Sequence, residues 1–128
     1  MASQREVVRA ERAPEAIGPY SHAVRAGDLL FCSGQIPLRP DTGELIGVSV
    51  GAQTQRCLDN LSAVCEAAGT TLQRALRVTI YMVELRAFAE VNDVFAQVFP
   101  TDPPARATVG VAALPRGALI EIDAIVAM

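Results

Sequence analysis

The chain contains no lysine, no tryptophan and a single histidine, His22. Without lysine it can form no Schiff base with pyridoxal phosphate, and it lacks the lysine of a Walker-type phosphate loop. One histidine cannot build a multi-histidine metal site within one chain. Aromatic residues make up 5% of the sequence, which is too few for a platform on which nucleic-acid bases stack. These absences leave a short list of reactive groups.

Charge is sparse and mixed along the chain. Charged residues are 20% of the total, and the net charge is −3. All eleven basic residues are arginines, and their scatter leaves no basic face for nucleic acid. No stretch approaches the roughly 20 apolar residues of a membrane span, and residues 1–12 mix charges without the apolar core of a signal peptide. We therefore expect neither a nucleic-acid nor a membrane partner.

Cysteine usage indicates the compartment. Cys32, Cys57 and Cys65 are an odd number and lack the spacing of a metal or redox motif. Cys57 and Cys65 fall in one predicted helix, about 12 Å apart at a rise of ~1.5 Å per residue, too far to form a disulfide. We expect three small buried hydrophobic residues in a reducing cytoplasm.

What the chain has in excess is apolar surface. Its 128 residues are 51% hydrophobic and fit a single domain, 1–128. Such a chain hides roughly two-thirds of its unfolded surface on folding, and few polar residues are left to cover the rest. Oligomerisation is therefore expected.

Apolar periodicity predicts the order strands, helix, strand, helix, strands. Apolar residues recur at helical spacing from Cys57 to Ala68, and Gly69 follows as a stop. Each helix has one apolar stripe to cover, which predicts an α+β fold with both helices on one face of a mixed β-sheet and the other face bare. The predicted strands are 5–9, 22–25, 29–33, 77–84, 106–114 and 119–126, and the predicted helices are 53–68 and 87–98.

Two charged residues interrupt the last two predicted strands. The even positions of 119–126 are uniformly apolar, whereas Glu121 shares the odd face with Asp123. Arg106 begins the preceding strand and shares a face with Thr108. An arginine fork suits a carboxylate, and a glutamic acid in an apolar setting suits proton transfer. The pattern alone favours a plainer alternative, a partly buried Arg106–Glu121 ion pair, and a one-residue slip in register would put the two on opposite faces.

Other candidates have plain alternatives too. Tyr20 is either a ligand-facing phenol or a turn aromatic packed on the sheet. Gly34, after Ser33, either lets a ligand approach the backbone or marks an ordinary bend. Asn92 lies beside an apolar helix stripe, and a solvated residue is the favoured reading. A catalytic triad of His22 with Ser21 or Ser33 lacks a nucleophile-elbow motif.

These residues coincide with a known pattern. The sequence resembles the reactive intermediate/imine deaminase A (RidA/YjgF) family over nearly its whole length. The matching motifs are IGPYS at 17–21, FCSGQ at 31–35, AAG at 67–69, PARA at 104–107, LP at 114–115 and IEI at 120–122.

The resemblance implies a chorismate-mutase-like fold and a homotrimer. In such a trimer the bare sheet faces form a central β-barrel, and three clefts lie between subunits. It also implies hydrolysis of reactive 2-imino acids to 2-keto acids and ammonia, with no cofactor and no metal. The substrates expected are 2-iminopropanoate and 2-iminobutanoate, which arise from 2-aminoacrylate and 2-aminocrotonate.

The resemblance also assigns residues. Arg106 would clamp the substrate carboxylate in bidentate fashion, and Glu121 would activate water and shuttle protons. The remaining cleft positions match Tyr20, Ser33, Gly34 and Asn92. Thr108 stands where many members have cysteine. The family uses the backbone amide at this position, and threonine retains that amide. The difference therefore puts only thiol-dependent behaviour in question.

Two alternative functions stay open. One is a non-catalytic module that senses 2-keto acids through Arg106 and needs no chemistry from Glu121. The other is an RNA-directed translation inhibitor, against which the lack of a basic patch weighs. Whether Arg106 and Glu121 meet within one chain or across an interface is also open.

Overall fold

The computed structural model describes residues 4–128, which form a six-stranded mixed sheet with two α-helices on one face. The α+β prediction is thereby confirmed. The strand order is β1-β2-β3-β6-β4-β5, with β4 and β5 parallel and every other pair antiparallel. The elements are β1 Arg5–Val8, β2 Ala23–Ala26, β3 Leu29–Gln35, α1 Val50–Ala68, β4 Ala75–Met82, α2 Phe88–Val98, β5 Ala105–Gly110 and β6 Ile120–Ala127.

Strand β6 is central because its alternation is strict. Ile120, Ile122, Ala124 and Val126 are buried under the helices, and the residues between them face the other way. The apolar stripe of α1 packs against this row. Full burial of each large aliphatic side chain contributes about 1.5–3 kcal/mol, so this contact is a main source of stability.

Helix α1 begins earlier than predicted, at Val50 rather than residue 53. The hydroxyl of Ser49 accepts a hydrogen bond from the amide of Ala52 at 3.1 Å and caps the first turn. Val50 packs in the core, but Gly51 and the polar residues Gln53 and Thr54 follow it, so the apolar periodicity does not extend into the first turn. Gly69 ends the helix in a left-handed conformation, φ 89°, as predicted.

Strand β5 ends at Gly110 rather than residue 114, and β4 spans Ala75–Met82 rather than 77–84. The two strands stop together, since Gly110 pairs with Met82 and the amide of Val111 makes the last bond to Met82 at 2.8 Å. Beyond Gly110 the edge strand has no partner backbone. The sequence still alternates beyond this point, and for that reason the predicted strand extends to residue 114.

The sheet face opposite the helices is open. Val7, Leu29, Phe31 and Val109 point out of it and are exposed, with Phe31 at 44%. This is the excess apolar surface that the composition predicted. The homotrimer and its central barrel, which would cover this face, stay predictions.

No helix in the part of the chain from residue 4 onward has both the length and the hydropathy needed to cross a bilayer.

Candidate active site

A pocket of about 330 Å³ opens on the bare side of β3 and β6. It brings together four residues that the sequence singled out, Tyr20, Ser33, Gly34 and Glu121. The complete lining is Ile17, Tyr20, Ser33, Gly34, Ile36, Pro115 and Glu121.

A β-bulge shapes the floor of this pocket. Cys32 pairs with Ala124 and Gln35 with Ile122, so β3 has one residue more than β6 between these pairs. Gly34 lies in this irregularity, and a Cβ atom there would collide with Oε2 of Glu121 and come within 2.9 Å of its Cδ. Only glycine leaves the Glu121 carboxyl group where it is.

Glu121 is half-buried in this setting. Desolvation by burial raises the pKa of its carboxyl group, and the charge of Asp123 raises it further. None of the residues that line the pocket is basic. The carboxyl group therefore keeps its proton to a higher pH than an exposed glutamic acid, as a group that both accepts and donates protons requires.

The pocket walls hold two hydroxyl groups. The Tyr20 hydroxyl accepts a hydrogen bond from the amide of Ile17 at 3.3 Å, and its own proton is free for a ligand. The Ser33 hydroxyl donates to the carbonyl of Ser21 at 2.6 Å, which leaves its lone pairs to accept. Tyr20 thus presents a donor and Ser33 an acceptor.

The triad alternative is wrong. Nδ1 of His22 accepts from the amide of Ala10 at 2.9 Å, and Nε2 donates to the carbonyl of Pro14 at 2.7 Å. Both ring nitrogens are therefore used by the backbone, and the Ser33 hydroxyl is directed to Ser21 instead. His22 fastens residues 10–14 to the sheet.

The other predicted site residues lie at the edge of the sheet, on the helix side. The Arg106 guanidinium carbon lies 5.1 Å from the centroid of the Phe95 ring on α2, a cation–π contact. Thr108 follows on the same face of β5 and is half-buried. Asn92, also half-buried, lies one helical turn before Phe95.

Arg106 and Glu121 do not meet within one chain. Arg106 pairs with Val78, which is buried under the helices, whereas Glu121 pairs with Tyr81 on the bare side. Their strands flank β4, about 9.6 Å apart at the usual strand spacing, and they project from opposite faces. Among the ion pairs found from residue 4 onward, none joins them. The partly buried ion pair within one chain is therefore wrong.

Two buried side-chain amides were missed from the sequence, and one of them, Asn60, binds the backbone of the pocket-lining residue Ile36. Nδ2 of Asn60 donates to the carbonyls of Leu38 at 3.0 Å and Ile36 at 3.4 Å, and Oε1 of Gln53 accepts from the amide of Leu119 at 2.9 Å. Both amides lie on the buried stripe of α1. Two polar residues on an apolar stripe were the signal available in the sequence.

Comparison with known proteins decides the family. The family model described as endoribonuclease L-PSP matches residues 10–128. The chain belongs to this family, which also carries the names YjgF and RidA. The resemblance stated from the sequence motifs is confirmed.

Relatives of this L-PSP family member extend over nearly all of it. A RutC family protein of Pyrococcus horikoshii is 46% identical over 94% of this chain and 96% of its own length. The chloroplastic Reactive Intermediate Deaminase A of Arabidopsis thaliana is 43% identical over 95% of this chain and 65% of its own. A crystal structure of a Rid family protein from Yersinia pestis superposes with a TM-score of 0.94 at 43% identity, covering 98% of this chain and all of that one.

Proposed function

We propose that this protein hydrolyses 2-imino acids to 2-keto acids and ammonia. The observation that carries the proposal is the Glu121 carboxyl group, half-buried over Gly34 in an open pocket and biased toward its protonated form. The plant relative named as a reactive intermediate deaminase supports the same class of reaction.

Each step needs only side chains and water. Arg106 binds the substrate carboxylate through two parallel hydrogen bonds. Glu121, in its ionised form, takes a proton from a water molecule whose oxygen bonds to the imine carbon, and the C=N π electrons move to nitrogen. Glu121 then returns the proton to nitrogen. The product of this addition carries a hydroxyl and an amino group on the same carbon. Glu121 next takes the hydroxyl proton and gives it to the amino nitrogen, the C–N bond breaks, ammonia leaves, and the oxygen left on carbon becomes the carbonyl of the keto acid.

This chemistry requires two copies of the chain. Arg106 lies on the helix side of the sheet edge, and Glu121 lies on the bare side. A substrate of three or four carbons cannot touch both groups of one chain through the intervening strand. We propose a homotrimer in which the bare faces pack together and the β5–α2 edge of one copy closes the Glu121 pocket of the next.

The remaining residues fit the two halves of such a cleft. Tyr20 and Ser33 offer a hydroxyl donor and an acceptor beside Glu121. The neighbouring copy would bring Asn92 and the backbone amide of Thr108 beside Arg106. These groups would orient the imine, while the two charged residues bind and react.

The test generates 2-iminopropanoate or 2-iminobutanoate in situ with a dehydratase and follows the release of the keto acid. We expect acceleration by the wild type, loss of it in Arg106→Ala, and in Glu121→Gln retained keto-acid binding with loss of rate. Arg39→Ala and Glu66→Gln remove exposed charges of the same type and are the matched controls. No acceleration by the wild type would overturn the proposal, and retained keto-acid binding in that case would favour the sensing module. A Glu121→Gln rate equal to an accelerated wild-type rate would refute the role given to Glu121.

The description of the family model favours ribonuclease action as the second candidate. The acidic net charge of −3 and the pocket without a basic lining residue argue against an RNA backbone as ligand. Cleavage of a single-stranded RNA that is lost in Glu121→Gln would favour this candidate.

A further inference from the structure

The bare face carries a second acidic residue beside Glu121, and a tyrosine holds it in place. Asp123 follows Glu121 two residues later on the same face of β6. The Tyr81 hydroxyl donates a hydrogen bond to Oδ2 of Asp123 at 2.9 Å. The mechanism proposed above uses neither residue.

The register shows that Tyr81 holds Asp123 from a neighbouring pair of the two strands. Its direct partner on β4 is Thr79, whereas Tyr81 is the direct partner of Glu121. The hydrogen bond to Tyr81 is therefore diagonal, and through it the long phenol side chain from the Glu121 pair holds the Asp123 carboxylate.

Within one chain, the groups next to Glu121 offer no opposing charge, and in the trimer that we propose the cation facing the pocket is Arg106 of the neighbouring copy. The groups next to it are neutral or acidic: Tyr20 from the preceding loop, Ser33 from β3, Tyr81 from β4 and Asp123 on β6. The basic residue on this face of β4, Arg77, is exposed and pairs with Ile125, four residues along β6 from Glu121. On the helix side of the sheet, burial raises the pKa of the Cys57 thiol of α1, and the nearby charge of Glu121 raises it further. Asp123 is thus the fixed charge to which Glu121 responds.

We propose that Asp123, held by Tyr81, is a positioning residue for Glu121 that keeps one negative charge beside the carboxyl group which moves protons. The inference rests on the proposed function, in which Glu121 exchanges a proton with water and with the leaving nitrogen. A neighbouring negative charge disfavours the ionised form of Glu121 and so strengthens it as the base that takes the proton from water. The tyrosine hydrogen bond keeps that effect constant by fixing the distance.

The test follows the ionisation of Glu121 directly, without substrate. The full chain is labelled with ¹³C at the glutamate side-chain carboxyl, the Glu121 signal is identified by its loss in Glu121→Gln, and its titration midpoint is measured. Residues two apart on a strand are separated by about 6.8 Å. At that distance, Coulomb's law with an effective dielectric constant between that of water, about 80, and that of a protein surface, about 20, predicts that Asp123→Asn lowers the Glu121 midpoint by about 0.5 to 2 pH units. Tyr81→Phe lowers the midpoint by a smaller amount, since Asp123 keeps its charge but is no longer held.

The control is Glu66→Gln, which removes an exposed negative charge on α1. An unchanged midpoint in both Asp123→Asn and Tyr81→Phe, or an equal fall in Glu66→Gln, overturns the inference. The acid limb of the pH–rate profile should move by the same amount as the midpoint. If the wild type fails to accelerate imine hydrolysis while the midpoint still falls, the proposed function is wrong and the electrostatic coupling stands.

Discussion

The Glu121 carboxyl group lies directly over the Cα atom of Gly34, in the space that the side chain of any other residue would fill. The bulge in β3 creates this contact by placing one more residue on β3 than on β6 between paired positions. The position of the acid in the pocket thus depends on a missing side chain on the neighbouring strand.

Replacing Gly34 with alanine should displace Glu121 and lower the deaminase kcat/KM about 100-fold, as expected for a misplacement of about 1 Å in a reacting group. The measurement is keto-acid release from an imine generated in situ. Gly51→Ala is the matched control, because a Cβ there comes no closer than 3.4 Å to Glu90. Near-wild-type activity in Gly34→Ala would show that the carboxyl position is not critical.

Two inactive variants should restore each other if the cleft is shared between copies. Arg106→Ala and Glu121→Gln chains are mixed in equal amounts, unfolded and refolded together. In a trimer with shared clefts, about one quarter of the sites then have an intact arginine from one copy and an intact glutamate from the next. The expected activity is about 25% of the wild type, and activity no higher than that of the separate variants would refute the composite site.

The stability of the chain should report the raised pKa of Glu121. The folded chain binds this proton more tightly than the unfolded chain, so the stabilisation is complete below the ordinary glutamic acid range and is lost as pH rises through the raised pKa. Glutamine has no such proton. We therefore expect Glu121→Gln to have a higher free energy of unfolding than the wild type at neutral pH, with the gap narrowing in acid.

Urea unfolding at fixed protein concentration across a pH series measures that gap. Glu66→Gln, at an exposed site, should show no comparable pH-dependent gap. A gap that widens in acid would mean that the carboxyl group is stabilised in its ionised form.

Asn60 is predicted to stabilise both the fold and the pocket wall. Its side chain is fully buried and bonds the carbonyls of Ile36 and Leu38. Asn60→Ala leaves those carbonyls without their donor, so the free energy of unfolding should fall by about 1–3 kcal/mol. Asp59→Ala, next to it on the exposed side, should change stability by about 0.5 kcal/mol or less. Equal effects of the two substitutions would contradict this role.

The secondary structure was largely predictable because burial imposes periodicity. The alternation in residues 119–126 predicted β6 and its two faces, and the spacing from Cys57 to Ala68 predicted α1. Element ends were less accurate: Ser49 caps α1 through a hydroxyl, and β5 stops because β4 has stopped. Both causes act outside the apolar pattern.

Four of the predicted site residues, Tyr20, Ser33, Gly34 and Glu121, line one pocket, and their roles stay predictions. Gly34 is predicted to let a ligand approach the backbone, and this stays a prediction, because the group that lies there in the structure is the carboxyl group of Glu121. The separation of Arg106 from Glu121 could not be derived, because consecutive strands in sequence usually pair and here β4 lies between them. Asn60 and Gln53 were missed because the hydrogen-bond partners of a polar residue on a buried helix stripe lie far away in sequence and cannot be recognised from the helix pattern.

Strand β4 also keeps the charges of Arg106 and Glu121 apart within one chain. A chain whose arginine and glutamate shared a face would neutralise them against each other, which would occupy the guanidinium donors and strip the acid of its proton. In the deaminase that we propose, β4 would keep these two groups of a single folded chain apart, so one chain alone could not perform the reaction. In the composite cleft that we propose, reactivity begins when copies meet, so activity per chain should depend on chain concentration as well as on folding.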